Sequence, residues 1–103
     1  MIIILTTVPD RALANTLASK SVEERLAACG QILPQMTSVY YWDGEVQRDE
    51  EHLLLIKTQE DKYTEIEDFI KQNHTYDAPE IVSLRTVRVS DDYRTWLEGY
   101  LNG

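Results

Sequence analysis

The segment NHTYDAPE, residues 73–80, gathers His74, Tyr76, Asp77 and Glu80 into one short stretch. Neutral imidazole and carboxylate oxygens are ligands that copper and other divalent ions accept, so a metal site is one reading of this composition. His74 and Glu80 stand on either side of Pro79's turn, a spacing that lets them converge on one ion or point apart. The other reading is a polar loop between a helix and a strand, with His74 closing the helix beside the negative end of its dipole. The chain has one further histidine, His52, which follows Glu50 and Glu51 and reads as a surface residue.

Other reactive combinations are few. A nucleophile–base pair can only join Cys29 to His52 or His74, and the apolar run LAAC makes Cys29 a small buried filler. No phosphate loop, dinucleotide fingerprint, His-Glu-x-x-His or paired Cys-x-x-Cys occurs, so nothing in the chain argues for an enzyme. Too few Cys and His residues are present for a structural zinc site. Tyr40-Tyr41-Trp42 offers a stacking wall for a ligand. In a strand, however, Tyr40 and Trp42 share one face and Tyr41 takes the other, which also suits packing between strands or subunits.

The elements that must position these residues follow from periodicity. Ile2–Leu5 is a β-branched run that reads as a strand, and Asp10 is placed to cap a helix whose apolar positions include Leu13, Leu17, Val22 and Leu26. Gly30 is expected to stop that helix. Residues 31–58 read as a long hairpin turning at Asp43-Gly44, with Pro34 marking a break or bulge. A second helix carries Tyr63, Ile66, Phe69 and Ile70; a strand over Ile81–Val89 and a Ser90-capped helix with Tyr93, Trp96, Leu97 and Tyr100 follow. The order β-α-β-β-α-β-α, without repeats or linkers, predicts one domain over residues 1–103. Its class is α+β: a ferredoxin-like βαββαβ sandwich with an extra C-terminal helix and a long protruding hairpin.

Composition narrows the function classes. With 18 acidic against 10 basic residues the formal charge is −8, which speaks against nucleic-acid binding. A single cysteine points to a reducing, cytoplasmic setting. The opening MIIILTTVPD lacks a basic leader and its apolar run is short, which speaks against a signal peptide or a membrane span.

One face of such a sheet should lack cover, and its strands should then alternate. Ile2–Leu5 and Leu53–Ile56 are instead apolar at consecutive positions, so both faces want burial. Another subunit is the expected cover, the last helix folding back being the alternative. The arm from Val46 to Thr58 would span roughly 40 Å, long enough to project and pair with neighbours.

The stretches TTVPD, EERLAACG, TSVYYWDGEV, LLLIKT, HTYDAPEIV and YRTWL, in this order, resemble the CutA divalent-cation tolerance proteins. The resemblance spans nearly the whole chain. It implies a PII-like fold, a homotrimer and binding of copper or another divalent cation, with no required cofactor and no catalytic mechanism. Mapped by position, it implies His74 and Glu80 as metal ligands in a cleft between subunits, with Cys29 as a third. Thr75, Asn73 and Thr6 stand where family members carry proline, histidine or cysteine. The alternative is a PII-like small-molecule sensor or adaptor using the same cleft, with Tyr41, Trp42 and Tyr76 in its wall.

Overall fold

The computed structural model describes residues 1–103. Its elements are β1 (Ile2–Val8), α1 (Arg11–Glu23), β2 (Cys29–Ile32), β3 (Met36–Trp42), β4 (Glu45–Thr58), α2 (Tyr63–Asn73), β5 (Val82–Arg85) and α3 (Asp91–Asn102). The sheet runs β2–β4–β1–β5 and every neighbouring pair is antiparallel. This is the expected α+β sandwich, with α3 and the β3–β4 arm as additions to it.

One edge of β4 serves two strands in turn. Its first half, Glu45–Glu51, pairs with β3, and Leu54–Lys57 pairs with β2. Pro34 falls in the gap between β2 and β3, where its missing N–H costs no ladder bond. Asp43 and Gly44 both take positive φ, 52° and 82°, as the tight turn demands.

The core lies between the sheet and α1 and α2. Ile2, Ile4 and Val8 of β1 and Leu54 and Ile56 of β4 meet Leu17 of α1 and Ile66 and Ile70 of α2. Burying a side chain of this kind contributes about 1.5–3 kcal/mol. A smaller cluster of Ala28, Leu97 and Leu101 fastens α3 at the end of the sheet near Met1.

Three sequence expectations need correction. The first helix ends at Glu23, well before Gly30: Arg25 adopts φ 57°, and the amides of Leu26 and Ala27 return to the Ser21 carbonyl. Arg25 is held in this left-handed conformation by stacking on Tyr100 and donating to its carbonyl. Gly30 instead sits in β2 because α1 crosses it closely. The last strand is four residues, since the Thr86 amide and hydroxyl both turn to the Met1 carbonyl. His52 is buried, with Nδ1 3.1 Å from the Leu33 carbonyl.

The opposite face of the sheet has no helix across its middle. Side chains directly opposite in an antiparallel pair share a face. That places Ile3, Leu5, Leu53, Leu55, Val82 and Leu84 together, half-buried or exposed. α3 reaches only the margin, where the Lys57 ammonium lies 5.4 Å from the Tyr93 ring centre.

A Cβ added at Gly30 would lie 3.0 Å from the Ala18 Cβ and 3.2 Å from its Cα. Gly30→Ala is therefore expected to lower stability by about 1 kcal/mol, overpacking outweighing the entropy gained. Urea unfolding at fixed protein concentration checks this, and adding Ala18→Gly should recover part of the loss.

Candidate functional site

The 74–80 loop is tied down by His74. β5 pairs with β1 only as far as Leu5, so the last residues of β1 have no strand neighbour on that edge. His74 fills the vacancy: its Nε2–H donates to the Thr7 carbonyl at 2.7 Å, while Nδ1 accepts the Tyr76 amide at 3.0 Å. These two bonds require the neutral Nε2–H tautomer. The ring also packs on Tyr76, centroids 4.7 Å apart. Both nitrogens are thus committed, and a metal can take one only by displacing Thr7 or Tyr76.

Held this way, the loop faces the arm across a cleft of about 630 Å³. Ser38, Tyr40 and Trp42 line it from β3, Glu51 from β4, and Tyr76, Asp77 and Glu80 from the loop. It lies at the end of the uncovered face, because Glu51 shares its side of β4 with Leu53 and Leu55.

Glu51 is the residue that sequence reasoning missed. The run QRDEE reads as a projecting, solvated arm, yet Glu51 is only 5% exposed. Its Oε2 accepts the Tyr76 hydroxyl at 2.7 Å, a partner that lies 25 residues away in sequence and left no local signal. Burial, followed by this bond, pushes the Tyr76 phenol well above its ordinary range. The Tyr40 hydroxyl donates to Asp49, which raises that phenol too. Glu80 carries no such donor: loss of water and the charge of Glu51 hold its carboxyl above the usual carboxylate range.

The other expected site residues separate. Trp42 and Tyr76 line the cleft, but Tyr41 points to the opposite side of β3. Cys29 lies opposite Lys57, six positions along β4 from Glu51, or about 20 Å at strand spacing. It is on the uncovered face, whereas His52 is on the helix face, so the two do not form a nucleophile–base pair.

The donor set fits a metal only in part. No three His, Cys, Asp or Glu side chains converge on a point that could hold an ion. Thr6 Oγ1 is a buried polar atom without a partner, but it lies on the helix face, away from the cleft. Glu51 and Glu80 alone suit a hard cation that keeps its water. Copper would require His74 to be released.

A family model described as "CutA1 divalent ion tolerance protein" matches residues 2–99. The chain is 44% identical over 95 residues to the "Divalent-cation tolerance protein CutA" of Thermus thermophilus, covering 92% of each. It is 42% identical over 97 residues to "Protein CutA, chloroplastic" of Arabidopsis thaliana, spanning 94% of this chain and about half (53%) of that relative. A solved structure described as the periplasmic divalent cation tolerance protein CutA of Archaeoglobus fulgidus superposes with a TM-score of 0.94 at 27% identity, covering 98% of this chain and 99% of that one. No helix of the chain is long and apolar enough to cross a membrane.

Two outcomes test this geometry. Tyr76→Phe leaves Glu51 buried without its donor and is expected to cost about 1–3 kcal/mol in urea unfolding at pH 7. Glu80 binds its proton more tightly folded than unfolded, so stability falls as pH rises from the ordinary carboxylate range through the raised value. Glu80→Gln should therefore raise Tm at pH 7 and leave it unchanged at pH 3.

Proposed function

The chain belongs to the CutA1 divalent ion tolerance protein family, and on that premise we propose that it is a cytoplasmic, self-associating protein that responds to divalent metal ions. The carrying observation is the pair Glu51 and Glu80, two carboxyls that line one cleft and repel each other, with no basic side chain in its wall. A divalent cation between them relieves that repulsion, and His74 at the root of the same loop supplies the imidazole that copper favours. Because His74 must leave Thr7 or Tyr76 to bind, occupation is coupled to movement of the loop, a direct route from metal to response. Cys29 of the same chain is too distant to serve as a third ligand.

A homotrimer accounts best for the uncovered apolar face. Six apolar side chains there would be buried by a neighbouring copy, and three copies in a ring also cover the open edges of the sheet. The cleft then lies beside the subunit junction, where a neighbour can add the missing donor. Of the alternative, a PII-like small-molecule sensor or adaptor, the version that binds an organic anion is disfavoured, since the lining offers carboxyls and no counter-charge.

Light scattering should give three times the 11.9 kDa protomer mass. Calorimetry with Cu²⁺ and Zn²⁺ should show saturable heat that His74→Ala reduces at least tenfold for Cu²⁺. Absence of heat, or heat indifferent to His74→Ala and Glu80→Gln, rejects the metal site. A monomer mass rejects the trimer.

A further inference from the structure

The sequence predicts a strand running to Val89, whereas β5 stops pairing at Arg85. Thr86 takes the Met1 carbonyl, and the chain then bends at Val87. Beyond Thr86, neither the amides nor the carbonyls of Val87, Arg88 and Val89 make a hydrogen bond in the protomer. Val87 is 96% exposed, and Arg88 has no ion-pair partner. A valine in full contact with water, β-branched neighbours and open backbone groups together describe a strand without a neighbour.

The arm offers a free edge of matching kind. β3 pairs with β4 alone, so its other edge is open along Met36–Trp42. The segment after β5 cannot reach that edge within one chain. Thr86 lies at the end of the sheet where β4 has arrived at Thr58, and the β3 pairing stops at Glu51, roughly 20 Å back along β4. Only a second copy can bring the segment to the edge.

The two faces of β3 decide how it would sit. Val39 and Tyr41 are exposed on one face, with Arg48 opposite Val39 and the exposed Val46 opposite Tyr41. Tyr40 is on the other face, where its hydroxyl donates to Asp49, a carboxylate with no basic partner in the protomer. An added strand alternates in the same way. With Val87 and Val89 against Val39 and Tyr41, Arg88 falls beside Tyr40, where a guanidinium can lie along the ring toward Asp49. The opposite placement sets Arg88 beside Arg48 and the valines beside the carboxylate. The open edge of β2 is a poorer match, since Lys57 lies opposite Cys29 on one face and α1 crosses Gly30 closely on the other.

We propose that Val87–Val89 of one copy adds as an edge strand to β3 of the next copy and pairs its Arg88 with Asp49 there. This contact requires self-association and is independent of the metal site. It joins two different surfaces, so successive copies close into a ring. It also carries to the Tyr40 wall of the cleft the basic side chain that the cleft's own chain does not supply.

Charge reversal tests the pair, since each copy carries both partners. Sedimentation in a fixed, sub-denaturing urea concentration gives the protein concentration at which the assembly falls to the 11.9 kDa protomer. Arg88→Glu and Asp49→Arg should each raise that concentration about tenfold or more, and the double variant should return it to within about threefold of the unaltered protein. Both side chains are exposed in the protomer, so folding of the single chain is not at stake. Hydrogen exchange supplies a second readout. At least one amide of Val87, Arg88 and Val89 should be protected in the assembly and exchange freely after dilution to the protomer. Unchanged dissociation in both single variants, additive losses in the double variant, or free exchange of all three amides within the assembly overturns the proposal and leaves self-association standing. A protomer mass for the unaltered protein overturns both.

Discussion

The antiparallel pairing of β1 with β4, in register from Ile2 opposite Thr58 to Val8 opposite His52, is the constraint on which everything else hangs. It decides that Ile4 and Ile56 face the helices while Leu5 and Leu55 face away. A slip of one residue would exchange those sets and send Glu51 into the core side of the sheet. The register is secured because the helix-facing set is buried completely, whereas the other set is only half covered. The same pairing therefore produces the core, the uncovered face and the position of the carboxylate in the cleft.

Much of this fold is legible in the sequence where signals are local. Asp10 accepts the Leu13 amide at 2.8 Å and Ser90 caps α3 through the Tyr93 amide, as side chains at those positions advertise. Asp43-Gly44 announces its own turn. The reading fails where a residue's conformation is set from far away. Arg25 ends α1 in a conformation usually left to glycine because Tyr100, 75 residues on, receives it. Glu51 and His52 look solvated in a run of charges, yet the Tyr76 hydroxyl and the Leu33 carbonyl satisfy them inside. His74 is visible as a candidate, but not that both its nitrogens are already bonded.

The electrostatics of the cleft follow from what the chain withholds. Some basic side chains pair elsewhere, Lys71 with Glu67 and Arg85 with Glu60. These pairs are exposed and contribute little to stability. None reaches Glu51 or Glu80, so the negative potential in the cleft is left uncompensated, and low-dielectric aromatic walls focus it.

The two walls of that cleft differ in kind. One is β4, a continuous strand of 14 residues that runs from Leu54 and Ile56 in the core to Glu51 at the opening without a joint. The other is an irregular segment anchored chiefly at His74. Substitutions at Thr75, Asp77 or Ala78 can therefore retune what the opening accepts while the strand and its core stay as they are. Loop positions can vary with less consequence for the core than positions on the strand, so the chemistry of this wall is freer to change than the architecture behind it.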